Sequence, residues 1–138
     1  MIMVRFRMFR INVNQFAILT DNLKQENIRL ETKLGIKYSI EWKRLAVNMM
    51  FTFSSSEEKI MMLDVCCEFQ IHEEDWNTFV KGGNIVVPKG IVEYFVVQTV
   101  GTARGILHCR TEGTPFNHII IPPLDVSGMV EGDLTIEQ

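Results

Sequence analysis

Alternation of apolar and polar positions dominates the first half of the chain. Arg10–Leu19 carries Ile11, Val13, Phe16 and Ile18 in an alternation that slips by one residue near Asn14-Gln15, as a strand with a bulge does. In Arg29–Ile40, Leu30, Thr32, Leu34, Ile36 and Tyr38 share one parity, and Arg29, Glu31, Lys33 and Lys37 take the other. Leu45, Val47, Met49, Phe51 and Phe53 repeat the pattern. After the polar turn Ser54–Glu58 it returns in Lys59–Ile71 as Met61, Leu63, Val65, Cys67, Phe69 and Ile71. A period of two places each set on one face of a strand. Four such strands in succession with short polar connections predict an antiparallel meander.

The second half changes character. His72–Trp76 suits a turn or a short helix, and Lys81-Gly82-Gly83-Asn84 a flexible loop. Between Pro88 and Arg110 two readings compete. Val92–Val97 alone passes for a strand, yet Val92, Val96, Val100, Ala103 and Leu107 recur at three- and four-residue steps with Ile91 and Phe95 beside them. Persistence over several turns favours a helix, with Pro88 in its first turn. Gly113 then ends it, and Phe116–Pro123 is an extended apolar segment closed by Pro122-Pro123. The predicted class is α+β: a four-stranded antiparallel sheet, a crossover loop and a packing helix.

Composition narrows the partners. At 138 residues, with 46% hydrophobic and 22% charged residues, the chain has room for one folded domain and is not a disordered tail. Its formal net charge of -3 argues against a general nucleic-acid binder, which presents a basic face. No apolar run approaches the ~20 residues of a membrane span. Three cysteines, Cys66, Cys67 and Cys109, make a poor disulfide framework and predict small buried thiols in a reducing compartment. Arg5, Arg7 and Arg10 interrupt any leader-like apolar run at the start, so the expected location is cytoplasmic.

Little chemistry is visible. His72 beside Glu73, Glu74 and Asp75 lacks a second histidine at helical spacing and reads as a solvated acidic turn. His108, Cys109 and His118 come without a nucleophile elbow. Gly101-Thr102-Ala103-Arg104-Gly105 lacks the Lys-Ser/Thr ending of a phosphate loop. We expect no catalytic residue, no metal and no cofactor. Two glycines each cost a helix about 1 kcal/mol, a cost that makes sense where the helix packs closely on a sheet or on a second copy of itself. Eight methionines and nine phenylalanines exceed what one sheet face and one helix hide, and Met50 and Met62 lie on the parity opposite Phe51 and Leu63. The surplus predicts an oligomer interface, or a Met-rich surface that adapts to several partners.

Three blocks carry a family resemblance: Phe9-Arg10-Ile11-Asn12-Val13; then Met61-Met62-Leu63-Asp64-Val65 with Phe69-Gln70-Ile71; then Thr102-Ala103-Arg104-Gly105-Ile106, Gly113-Thr114-Pro115-Phe116 and Ile121-Pro122-Pro123-Leu124-Asp125-Val126. Together they resemble the SecB family of protein-export chaperones. The similarity spans about residues 9–130 of a single domain 1–138, leaving a short tail at 127–138. The resemblance implies an ATP-independent holdase, a homo-oligomer built as a dimer of dimers, which binds unfolded or nascent polypeptides in hydrophobic grooves. Under it, Trp76 and Phe79 in the crossover, with Phe69, Phe95 and Phe116, are the groove-lining candidates, core packing being the alternative for each. Gly101, Ala103 and Gly105 are candidates for the helix contact between dimers, with Arg104 in an interfacial ion pair or solvated.

Three departures from the family pattern bear on the partner. Val126–Gln138 is too short and Gly-interrupted for the family's long second helix. Asp64 stands where one acid that docks the SecA translocase motor is expected, but Gln15 and Leu19 fall at other acidic positions. Cys66-Cys67-Glu68 replaces a smaller, Gly-containing stretch. Coupling to export is therefore in doubt, and the alternatives are a SecB-like chaperone dedicated to one client, such as an antitoxin, a structural oligomer without a client, or a hot-dog-type thioesterase. The enzyme requires a buried acid facing a tunnel beside the helix.

Overall fold

Pairing of the alternating segments builds a four-stranded antiparallel sheet in the computed structural model, which describes residues 4–21 and 26–138. Its strands are β1 (Phe6–Ile18), β2 (Ile28–Ser39), β3 (Arg44–Ser55) and β4 (Glu58–Ile71). The spatial order is β1-β4-β3-β2. β2, β3 and β4 form the expected meander, but β1 pairs with β4 instead of β2, which corrects the meander to a Greek-key arrangement. Both orders satisfy the same alternation. Register decides between them by the core it closes: Phe6, Met8, Val13 and Phe16 of β1 lie opposite Ile71, Phe69, Val65 and Leu63. Ladder shifts at Met8/Arg10 and Val13/Gln15 mark two bulges, the second where the alternation slips.

Beyond β4 the chain makes α1 (Glu73–Asn77), capped by the His72 ring, and a small sheet of β5 (Val80–Lys81), β6 (Asn84–Val87) and β7 (Leu134–Ile136), in that order. Gly82 and Gly83 supply the two positive φ angles (56° and 85°) that join β5 to β6. The helical reading of the next segment is the one adopted: α2 spans Lys89–Arg110, with Pro88 at its N-cap and Thr111 at its C-cap. The segment after Gly113 runs through turns into Ile119–Asp125 and a single-turn α3 (Val126–Met129).

One core holds these elements together. The odd-numbered residues Leu45–Phe53 of β3 and Met61–Ile71 of β4 are buried beneath α2, which presents Val92, Phe95, Val96, Thr99, Val100, Ala103 and Leu107 to them. Phe69 and Phe95 stack at 4.3 Å with rings nearly parallel. The other face of the sheet carries Ala46, Asn48, Met50, Asp64, Cys66, Glu68 and their cross-strand neighbours, all half-buried or exposed. No described element packs on it.

Candidate functional site

The sheet is four strands wide, but α2 lies over its two central strands. This leaves the inner side of β1 beside the helix, and ring contacts join the two near each end. Phe6 touches Phe95 and Tyr94 at centroid distances of 4.7 and 5.5 Å, and the Arg110 guanidinium lies 5.9 Å from the Phe16 ring. Between these contacts Ile11 pairs with Cys67, whose thiol reaches the Thr99 and Thr102 hydroxyls of α2. Ile11 itself remains 50% exposed. This shallow apolar trough is exposed at Ile11 and half-buried at Met8, Val13 and Phe16, which pack against the core, and the strand from Phe6 to Phe16 along it is about 30 Å long at ~3.3 Å per residue.

The ridge of α2 turned away from the sheet is exposed. Tyr94 and Val97 are about half exposed on it, and Gly101 and Gly105 follow at three- and four-residue steps. A Cβ at either glycine would meet nothing within 4 Å. Neither glycine is therefore needed for packing inside this chain. Further exposed apolar side chains lie at Ile18 and Leu19 past the far end of the trough, at Val80 in β5 and at Ile120.

The aromatic candidates sit beneath this surface. Phe69 and Phe95 are completely buried, while Trp76, Phe79 and Phe116 retain at most 4% exposure. Trp76 and Phe79 meet edge to face at 6.4 Å under the small sheet's crossover. All five belong to the core of the single chain. The candidates for helix contact divide: Gly101 and Gly105 face outward, whereas Ala103 is fully buried against the sheet, which corrects its assignment to an outward contact. Helical spacing explains this, because Ala103 lies on the face shared by Val96, Val100 and Leu107.

Arg104 is held within its own chain. Its Nε donates to the Ile121 carbonyl at 2.6 Å and its Nη2 to the Pro122 carbonyl at 3.0 Å, fastening the Pro-Pro segment along α2. Asp64 accepts from Asn48 Nδ2 at 2.7 Å, and Asn48 Oδ1 accepts from Asn14 Nδ2 at 2.9 Å. That polar ladder crosses the open face of the sheet, opposite α2. Gln15 pairs with Asp64 in the register, and Leu19 is exposed.

Groups that serve catalysis are scarce. Among the described residues the buried polar side chains are Thr99 and Thr111, and both donate to carbonyls one turn back on α2. The helix face against the sheet carries no carboxylate, so the buried acid required by a hot-dog-type enzyme is not there. Among the described residues no three His, Cys, Asp or Glu side chains gather as metal ligands. No described helix is long and apolar enough to cross a membrane. Burial pushes the thiols of Cys66 and Cys67 up, the first further raised by the Glu68 charge, so both resist forming thiolate.

No protein-family model and no curated protein sequence matches the chain. Among solved structures, its fold matches the SecB-like chaperone Rv1957 of Mycobacterium tuberculosis, determined with a ChAD peptide from the HigA1 antitoxin Rv1956. The match has a TM-score of 0.55 at 10% identity and covers 87% of this chain and 91% of the other. The chain therefore has a SecB-like fold. Missed from the sequence were Ile11 and the Tyr94–Val97 ridge. The available clue was that Tyr94, Val97, Gly101 and Gly105 fall at helical spacing on the side of α2 opposite its buried stripe.

Proposed function

We propose that this protein is an ATP-independent holdase for unfolded or nascent polypeptides. The observation that carries the reading is the trough between β1 and α2, an apolar strip of a length suited to an extended peptide and set in a SecB-like fold. Burying one half-exposed Ile or Phe side chain releases on the order of 1 kcal/mol, so such a strip holds a client weakly and without demanding a sequence. Several strips in one oligomer strengthen the hold through avidity.

A client meets Ile11 first, with half-buried Val13 beside it and Tyr94 against Phe6 at one end. It reaches Phe69, Trp76, Phe79, Phe95 or Phe116 only if the crossover or the C-terminal segment moves off them. The oligomer is a dimer of dimers joined through the outer ridge of α2 at Gly101 and Gly105, where the open glycines allow close approach. The peptide seen with the SecB-like neighbour favours a chaperone with a preferred client, an antitoxin-like segment among them. Export through the SecA motor is not part of the proposal, since Asp64 is engaged by Asn48 and the flanking acids are absent. A reducing cytoplasm fits three free thiols.

Light scattering from a chemically unfolded test protein, diluted into buffer without ATP, tests the reading. Suppression of aggregation near one oligomer per client is expected, and Ile11→Asp, at a half-exposed position, should weaken it without lowering thermal stability. Aggregation that proceeds unchanged at molar excess of the chaperone overturns it.

A further inference from the structure

The face of the sheet opposite α2 has a charge unlike that of the whole chain. The register places Arg7, Arg10, Arg29, Lys33, Lys37 and Arg44 on it, against Glu31, Asp64 and Glu68. A chain of formal net charge -3 thus turns a net positive face to solvent. The carboxylates at its centre are occupied: Glu68 lies 3.3 Å from Arg10, and Asp64 accepts from Asn48. The lysines at its margin are not. Lys33 and Lys37 are exposed, and among the described residues neither forms an ion pair.

Both lysines belong to β2, whose outer edge pairs with no described strand. β2 keeps an unbroken register with β3 from Ile28 to Ser39, whereas the other edge strand is interrupted by two bulges. A regular open edge is a template for one more strand. Its two sides then specify what that strand carries. On the open face, Lys33 and Lys37 flank Gly35, which has no side chain to obstruct a neighbour; on the inner face lie Leu34, half-buried Ile36 and half-exposed Tyr38.

We propose that the β2 edge docks an extended polypeptide segment with carboxylates four residues apart, opposite Lys33 and Lys37, and apolar side chains between them on the other face. The added strand continues the sheet through backbone hydrogen bonds. Its acidic residues pair across the edge with the lysines, and its apolar residues cover Leu34, Ile36 and Tyr38. Glu31, two residues before Lys33, rejects a carboxylate at the next position, which gives the segment a register.

A second copy of β2 pairing antiparallel about Gly35 would set Lys33 against Lys37, and pairing about Leu34 would set Glu31 against Lys37 but leave Lys33 opposite Gly35; an acidic segment answers both lysines where a second copy answers one. A nucleic acid is disfavoured by the formal net charge of -3 and by Glu31 beside Lys33, and the rings of Phe9 and Trp42 both lie against the Arg44 guanidinium, at 4.4 and 5.5 Å. The edge lies on the far side of the sheet from the trough's β1 wall, so it is a second surface and does not depend on the holdase reading.

Fluorescence anisotropy with labelled, capped peptides tests it. The probe has Glu at every fourth position, Val at alternate ones and Ser between; the control replaces Glu by Lys. We expect the acidic peptide to bind about tenfold more tightly than the basic one, the margin that a few cross-strand ion pairs supply. The double variant Lys33→Glu/Lys37→Glu, changed only at exposed side chains, should reverse the preference. N-methylation of alternate amides in the acidic peptide should abolish binding. Equal binding of the two peptides, a preference that survives the double reversal, or indifference to N-methylation overturns the proposal. A poly-uridine oligonucleotide that outcompetes the peptide, or a change in oligomer mass in the double variant, overturns it in favour of a nucleic acid or a second copy. Aggregation suppression should be unchanged in the double variant. Loss of suppression in the unmodified protein with the peptide preference intact removes the holdase reading alone.

Discussion

The Asp133 carboxylate accepts a hydrogen bond from the Lys89 backbone N–H at 2.8 Å, across 44 residues of chain. Pro88, the residue at the helix N-cap, has no side-chain acceptor to offer, so the first turn of α2 is satisfied from the C-terminal segment. The same segment adds β7 to the β6 edge and buries Ile136. Asp133→Ala should cost about 1 kcal/mol, the usual worth of a helix cap, while Asp133→Asn retains most of it because the amide oxygen still accepts. Urea denaturation checks both. Equal loss in the two variants would mean that charge, not the hydrogen bond, holds the contact.

Arg5 fastens the start of β1 to α1. Its backbone N–H and its Nε both donate to Asp75 Oδ2, at 2.8 and 3.0 Å, and Glu74 lies 3.1 Å from its Nη2. The guanidinium holds the Asp75 carboxyl below the usual carboxylate range. An acid whose pKa is lower folded than unfolded contributes stability above its unfolded pKa, and loses it as pH falls through the folded value. The urea midpoint should therefore fall between the ordinary aspartate range and more acid pH. Asp75→Asn should be less stable at neutral pH and shallower in that limb. Parallel profiles for the two proteins would remove Asp75 as its source.

Much of this fold was legible because burial with a period of two leaves a trace that needs no partner. The slip at Asn14, the buried parity of β3 and β4, and the inner face of α2 all follow from it. What escaped depends on contacts distant in sequence. Whether β1 lies beside β2 or β4 changes no residue's parity. β6 has only Ile85 and Val87 to bury and β7 only Ile136, too few positions to show a period until the two pair. Arg104 was unreadable for another reason. Its partners are carbonyls of an extended segment without a neighbouring strand, and a backbone acceptor in need of a donor has no sequence pattern. The trough escaped because Ile11 has the pattern of a core residue and is half exposed only because α2 passes over β3 and β4.

The three thiols should separate cleanly by reactivity. Cys109 is exposed near the C-terminal end of α2, Cys66 is half covered on the open sheet face, and Cys67 is buried under Thr99 and Thr102. Burial and the Glu68 charge disfavour the Cys66 thiolate, so its exposure overstates its reactivity. Labelling with a disulfide reagent near neutral pH, read by mass spectrometry, should modify Cys109 first, Cys66 more slowly, and Cys67 only on unfolding. Early modification of Cys67 would show that α2 does not stay seated on β4.

Gly101 separates packing within a chain from packing between chains. A side chain there meets no atom of its own subunit within 4 Å, and Leu is the better helix former by roughly 1 kcal/mol. Gly101→Leu should therefore leave the folded subunit as stable as before or more so. If the outer ridge of α2 joins two dimers, the same substitution fills the space that lets the helices approach, and the assembly should fall to half its mass. Ala103→Leu provides the contrast. Ala103 is wholly buried against the sheet, so enlargement overpacks the core at about 1–3 kcal/mol and lowers the melting temperature. Light-scattering mass and thermal melting, measured on both variants, resolve the two effects. A Gly101→Leu protein with unchanged mass would move the subunit contact off α2.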